Sequence, residues 1–427
     1  MITPVRLAYG AAVATAQLAA RLAPRSEHKL LRSLRARRDI VARYATWGAT
    51  HRDAARALLW MHAPSVGEGL QAAPVLQHIR SAHPELQLAY TFFSPSAERL
   101  ARSLDVDFAD YLPFDAANDV RAALHALAPR ALVFSKLDVW PTLVREAAAR
   151  GVHLGMVSAT LSAASRRTRG AARALLRDAY ARLDLVGAVD ASDAERLERL
   201  GVRASALRIT GDTRYDQVLA RAASVDVHGA LLSPLASRAP TLVAGSTWPA
   251  DERPLLSAWR RVRARIPDTR LILAPHEPTS GRVAELERWA AHHAIAAARL
   301  GTMAARDSAL VIVDRVGVLA ELYALADVAY VGGGFHGAGL HSVVEPAAFG
   351  APVVTGPRHH GSRDAALLLA QGGARAVSGA AAMEDVLATW LCDDAARREA
   401  GERARTVVER GRGAAARAAA LVEELLF

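Results

Sequence analysis

The chain holds a single cysteine, Cys392, in 427 residues. That excludes an internal disulfide framework and a cysteine-based zinc site, and it fits a reducing compartment. Arginine far outnumbers lysine and alanine is abundant; both read as genomic bias before they read as function. There is no Walker P-loop, no G-x-S-x-G elbow and no HExxH, so the sequence offers none of the chemistry those motifs carry. Asp105-Val106-Asp107 has Asp-x-Asp spacing, but it precedes the run leading to Tyr111-Leu112-Pro113, and no metal is assigned to it. Long apolar runs are also missing. The uncharged stretch Leu7–Ala20 has fourteen residues, too few at about 1.5 Å each to cross a ~30 Å hydrocarbon core.

Charge is present but uneven. The net charge is +10, and residues 1–50 carry nine basic groups (Arg6, Arg21, Arg25, Lys29, Arg32, Arg35, Arg37, Arg38, Arg43) against two acids, Glu27 and Asp39. The rest of the chain is near balance, so no general nucleic-acid surface is expected. A cleaved signal peptide would have only Arg6 as its basic start and a poor cleavage context at Ala19-Ala20-Arg21. The expectation is an interfacial helix on the cytoplasmic leaflet of an anionic inner membrane, followed by basic anchors. An ordinary soluble helix packed on the first domain is the alternative.

A chain of this length, 52% hydrophobic, builds two domains of about 200 residues. Apolar runs alternate with helical stretches and no hairpin signals intervene. Strands are expected at Ala57–His62, Leu86–Phe92, Ala131–Phe134, Val152–Val157 and Leu185–Ala188. A second set is expected at Thr241–Gly245, Arg270–Ala274, Val311–Val313, Val328–Val331 and Pro352–Thr355. This is the pattern of parallel, doubly wound α/β sheets. The expected division is a basic N-terminal segment over 1–50, a Rossmann-like domain over 51–216, a helix and linker over 217–237, a second Rossmann-like domain over 238–393, and one long helix over 394–427. Two such domains facing each other across a cleft would turn their strand carboxyl ends, and the loops there, toward it.

Chemistry-bearing residues cluster at those strand ends. Tyr330–Pro357 reads strand, glycine turn (Gly332, Gly333, Gly334), a loop with Phe335, His336 and His341, a short helix containing Glu345, and a strand. Such a turn can offer backbone N–H groups to a phosphate, and Glu345 can accept hydrogen bonds from two vicinal ribose hydroxyls. A purely structural glycine turn is the competing account. In the first half, Ser65-Val66-Gly67-Glu68 follows a strand: Glu68 is either a general base or the N3 acid of a capping box. Lys136 and Asp138, before Trp140-Pro141, form either a salt bridge or part of an anion and base site. Ser246, then Pro275-His276, then Asp314 to Gly317 follow three successive strands in the second half.

Taken together, these motifs resemble the 3-deoxy-D-manno-octulosonic acid (Kdo) transferases. The resemblance runs from about Trp60 to Gly373 and rests on eight motifs in order: His62–Glu68, Tyr111–Asp115, Lys136–Pro141, Gly211–Asp216, Gly245–Glu252, Ala274–Glu277, Asp314–Tyr323 and Tyr330–Pro357. It implies the GT-B plan and inverting transfer of Kdo from CMP-Kdo to a lipid A precursor, with no cofactor and no essential metal. It implies Glu68 as general base, with Pro275, His276, the Asp314–Gly317 loop, Gly332–Gly334 and Glu345 on the donor. The chain departs from the family with Lys136 where an acid is common, with Ser342 after His341, and with no basic residue between Pro275 and His276. The alternatives are a UDP-sugar 2-epimerase-like enzyme and a non-catalytic membrane scaffold.

Overall fold

Apolar runs such as Leu58–His62 and Gln87–Phe92 bury every residue, as strands covered by helices on both faces must. The computed structural model describes residues 4–24, 26, 28–163 and 165–427; Arg25 and Glu27 of the basic segment lie outside them. The first sheet contains β1 (Leu58–His62), β2 (Gln87–Phe92), β3 (Phe108–Tyr111), β4 (Ala131–Ser135), β5 (His153–Ala159), β6 (Leu185–Ala188) and β7 (Leu207–Ile209), in the order β3-β2-β1-β4-β5-β6-β7. The second contains β8 (Thr241–Thr247), β9 (Arg270–Pro275), β10 (Ala297–Arg299), β11 (Leu310–Ile312), β12 (Val328–Val331), β13 (Val353–Thr355) and β14 (Ala374–Ala376), in the order β10-β11-β9-β8-β12-β13-β14. Every pairing is parallel. Strand order reverses between β1 and β4 in one sheet and between β8 and β12 in the other. Loops at the carboxyl ends of those pairs are where open α/β sheets hold ligands.

The chain divides into two units, one running to Gln217 and resuming at Gly413–Phe427, the other spanning Val218–Arg412. Three boundaries differ from the sequence expectation. The boundary near 217 falls inside the helix Arg214–Ser224, and Leu232 and Leu235 of the expected linker are buried in the second unit's core. The expected single C-terminal helix is two, Asp394–Arg410 and Ala414–Leu426. They part at Gly413, whose φ of 84° suits glycine. The Asp216 carboxylate accepts the Gly413 and Ala415 N–H groups at 2.6 and 2.7 Å, capping a helix whose Leu421, Val422, Leu425 and Leu426 enter the first unit's core.

The third difference is the N-terminal segment. Its last helix, Ile40–His51, belongs to the first unit: Ile40 and Tyr44 are buried core residues, and the Tyr44 hydroxyl donates to the Tyr111 carbonyl at 2.8 Å. Most of the basic groups are also committed to the fold. Arg37 is buried, donates to the carbonyls of Leu112, Ser33 and Phe93, and lies 4.1 Å over the Phe93 ring. Arg38 donates to the carbonyls of Ala20, Arg21 and Ala23, closing the first helix, Pro4–Leu22. Arg32 pairs with Glu98 and Arg43 with Asp110.

The first helix turns its polar side chains inward. Arg6 pairs with Asp178 at 3.0 Å, the Tyr9 hydroxyl donates to Asp115 at 2.8 Å, and Gln17 donates to Asp119 at 2.8 Å. Asp115 is buried and also accepts the N–H groups of Thr142 and Leu143 at 2.8 Å each. Burial raises its pKa from 3.8 to about 6, against the hydrogen bonds that lower it. Because the folded value is the higher one, the stability Asp115 contributes is full below the unfolded pKa and is lost as pH rises through 6. Two units correspond to about 3 kcal/mol. Between pH 4 and pH 7.5 the wild type should therefore lose about that much stability relative to Asp115→Asn, whose side chain does not titrate. Denaturant unfolding at several pH values measures it, and parallel curves for the two proteins would contradict it.

Candidate active site

In the first unit the site forms where β1, β2 and β4 end. Ser65 occupies the N-cap of the helix Val66–Ala82 in extended conformation, yet its side chain accepts no capping hydrogen bond. Its hydroxyl instead donates to Oε2 of Glu68. Lys136 Nζ donates to Oε1 of Glu68 at 3.3 Å, and the Ser135 hydroxyl donates to the Glu68 carbonyl at 3.0 Å. The capping box is thus not formed, and Glu68 serves as an acceptor for a hydroxyl and an ammonium group. Its side chain is 19% exposed. Burial alone would raise its pKa, but the Ser65 hydrogen bond and the Lys136 charge outweigh burial and hold it below the ordinary 4.5. The carboxylate is ionised at neutral pH and open to an incoming hydroxyl.

Lys136 is one of two lysines in the chain, with Lys29, and its φ of 71° is left-handed. Its N–H donates to the Val157 carbonyl at 2.8 Å, which ties the strained loop to β5. Asp138 does not join the Glu68–Lys136 pair. It lies 3.6 Å from Arg167 and 3.8 Å from Nε2 of His62. Trp140 Nε1–H donates to that same His62 nitrogen at 3.3 Å, and the other ring nitrogen is 3.0 Å from the Thr91 hydroxyl. Nε2 therefore carries no proton and Nδ1–H donates to Thr91. Phe93, exposed beyond the end of β2, stacks on Trp140 at 5.3 Å. His62, Phe93 and Trp140 were not among the expected site residues. Their common signal is position, each within a few residues of a strand's carboxyl end.

In the second unit, a Cβ on Gly332 would lie 2.2 Å from the Ser246 carbonyl oxygen, and Gly333, at φ 93°, sits against the Gly339 carbonyl. Ser246, itself at φ 52°, and the glycines are thus placed by backbone-to-backbone packing. The amides of this turn are largely taken. The fully buried Asp251 accepts the N–H groups of Gly333 at 2.8 Å, Phe335 at 2.9 Å and Trp248 at 3.0 Å, and the Tyr330 hydroxyl at 3.0 Å. Gly332 N–H bonds to the Gly245 carbonyl at 2.9 Å. The chain's own carboxylate therefore occupies much of the cradle expected to hold phosphate. Gly334 N–H has no partner among the described residues. Asp251 left no sequence signal beyond its place in GSTWPADE.

The remaining donor candidates fall into two groups. His276, after Pro275 at the end of β9, and His341 face each other at 4.5 Å between ring centroids, with Trp248 and His336 beside them. Glu345 stands in the short helix Val344–Ala348. It is half-buried, and neither of its oxygens accepts a hydrogen bond from a described residue. Burial raises its pKa and the Arg221 charge opposes that. Arg221 also reaches the Gly317 carbonyl at 3.5 Å and Glu321 at 3.6 Å, which links Glu345 to the Asp314–Gly317 loop. Asp314 itself pairs with Arg315 at 3.2 Å. Among the described residues no three His, Cys, Asp or Glu side chains assemble as a metal site.

Residues 37–217 match the family model described as 3-Deoxy-D-manno-octulosonic-acid transferase (kdotransferase). The 3-deoxy-D-manno-octulosonic acid transferase of Bordetella pertussis is 31% identical over 395 residues, 90% of this chain and 91% of that one. The chain belongs to the Kdo transferase family. The Haemophilus influenzae transferase is 27% identical over 336 residues, 76% of each chain. Among solved structures, the UDP-GlcNAc 2-epimerase of Neisseria meningitidis bound to UDP-GlcNAc has a TM-score of 0.61 at 11% identity, covering 87% of this chain and 99% of that one. A glycosyltransferase of Rickettsia africae has a TM-score of 0.59 at 9% identity, covering 87% and 99%. At such identities they share the fold alone, two parallel α/β units of GT-B type, so the epimerase alternative rests on architecture. Membership in the Kdo transferase family makes this protein a glycosyltransferase.

Proposed function

We propose that this Kdo transferase moves Kdo from CMP-Kdo to a lipid A precursor, with inversion and without a cofactor. The observation that supports it best is the Glu68–Lys136 pair at the strand-order reversal of the first sheet. In this scheme an acceptor hydroxyl attacks the anomeric carbon of Kdo. Its proton passes to Glu68, the bond from the anomeric carbon to the CMP phosphate oxygen breaks, and CMP departs with the electron pair. One displacement inverts the configuration. Lys136 keeps Glu68 ionised until the proton arrives. The test is to incubate the purified protein with CMP-Kdo and lipid IVA and read product masses; each added Kdo appears as a fixed increment, and an acceptor of unchanged mass contradicts the proposal.

The first helix supports docking on the cytoplasmic face of the inner membrane. No described helix is long and apolar enough to cross a membrane. With its polar contacts turned inward, the helix leaves Leu7, Leu18 and Leu22 at 62%, 58% and 74% exposure. Arg21 and Lys29, both exposed, and Arg35 make no described ion pair. They are what remains of the expected basic anchor once the committed arginines are set aside. Inserting a leucine contributes at least about 1 kcal/mol, so Leu7, Leu18 and Leu22 changed together to serine should weaken binding to anionic vesicles tenfold or more. Salt should weaken wild-type binding by screening the cations. Activity should fall more on membrane-embedded acceptor than on detergent-dispersed acceptor. Vesicle sedimentation decides it: equal sedimentation of the two proteins would make the leucine face an ordinary surface.

A further inference from the structure

Four aromatic side chains gather at the carboxyl ends of β8, β9 and β12. The Trp248 indole faces His276 at 4.5 Å between centroids and stacks on His336 at 4.2 Å, and His276 faces His341 at 4.5 Å. Their hydrogen bonds are unequal. The Ala338 N–H donates to Nδ1 of His336 at 3.2 Å, and Trp248 Nε1–H donates to Nε2 of His341 at 3.4 Å. A nitrogen that accepts carries no proton, so both rings are neutral in this arrangement. His276 differs. It is exposed, and neither of its ring nitrogens has a described hydrogen-bond partner. One of its faces lies against an indole, which attracts a cation.

The other charged groups around the cluster are Glu277, exposed beside His276; Asp251, occupied by four donors; Arg282, which is paired with Glu252 and Glu285; and Arg358, exposed, with its guanidinium near Gly337. Of these only Arg358 is a cation without a described ion pair, and it lies beside the loop that carries His336. Pro275 is followed directly by His276, so the end of β9 itself supplies no arginine or lysine to the cluster.

We propose that His276 meets the anionic group of the donor as an imidazolium, and that Trp248 is the positioning residue that makes this so. The proton comes from solvent when the anion arrives, and the indole face and the anion hold it between them. The inference rests on the reading of the donor as an anionic sugar nucleotide. It adds Trp248 as a determinant of selectivity for charged over neutral ligands, and it makes the proton part of binding.

The test is calorimetric titration of the full-length protein with CMP near pH 8, where the CMP phosphate is already a dianion, in buffers of different ionisation heat. The expected result is net proton uptake, up to one per CMP bound, and none with neutral cytidine. His276→Gln removes the uptake. Trp248→Leu weakens CMP binding about fivefold to thirtyfold and reduces the uptake, while Trp248→Phe, with a weaker π face, restores part of both. A structural role for Trp248 would change melting temperature without changing proton stoichiometry. Heats of CMP binding that do not depend on buffer in the wild type, or full uptake in a folded Trp248→Leu protein, overturn the proposal. Product masses from CMP-Kdo separate the two failures. Transfer without proton uptake overturns this inference alone, whereas absence of both transfer and CMP binding overturns the functional reading beneath it.

Discussion

Glu68→Gln should lower the rate of Kdo transfer by roughly 10²–10⁴-fold, the range for loss of a positioned general base, while melting temperature and CMP affinity stay close to wild type. Glutamine keeps the shape of the side chain and can still accept the Ser65 hydroxyl, but it cannot take a proton. The competing account, a helix-terminal acid, makes the opposite prediction: loss of about 0.5–2 kcal/mol of stability with turnover intact. The local geometry favours the base. Ser65 holds no capping hydrogen bond, so the interaction that a capping role needs is absent, and the hydroxyl and the Lys136 ammonium both point to the carboxylate. Single-turnover rates and thermal melts on the same preparation separate the accounts. Near-normal turnover with lowered stability would return Glu68 to the helix terminus.

The strands that stood out in the sequence are the interior ones, where both faces are covered and the apolar run is unbroken. Phe108–Tyr111, Leu207–Ile209, Ala297–Arg299 and Ala374–Ala376 did not stand out, and these are the four sheet edges. An edge strand is short and half in water: Arg208 and Ile209 are exposed, as are Arg375 and Ala376. Periodicity has little to register there. The break in the C-terminal run was hidden for a different reason. Gly413 was visible, but the carboxylate that caps the helix after it comes from Asp216, almost two hundred residues away in sequence.

The site shows the same division. Glu68, Lys136, His276, His341 and Glu345 could be singled out because each follows a strand within a recognisable motif. Asp251 could not, because its role depends on the glycine loop folding back over the first turn of the helix Pro249–Arg265. Composition did not tell the N-terminal basic residues that stay at the surface from those the fold consumes. Arg37, with three carbonyl partners and an aromatic face, holds the first unit together.

Glu345→Ala should weaken CMP binding about 10- to 150-fold, the equivalent of the 1.5–3 kcal/mol carried by hydrogen bonds to a charged group, and should not lower thermal stability. The second half of that expectation follows from what Glu345 lacks. A half-buried carboxylate with no described hydrogen-bond partner, its pKa raised by burial, gives little to the fold, and removing it leaves no buried donor unsatisfied. A protein that keeps such a group is trading stability for a ligand. Vicinal ribose hydroxyls are the donors that an unpaired carboxylate in the short helix after the glycine turn suits. Affinity should therefore also fall as pH drops into the raised range of Glu345 and the carboxylate gains a proton. Calorimetry with CMP at neutral pH and at about pH 5, beside melting curves, tests both halves. Unchanged affinity in a stably folded Glu345→Ala protein would remove Glu345 from the donor site, and a marked loss of stability would make it a structural acid whose partner lies elsewhere.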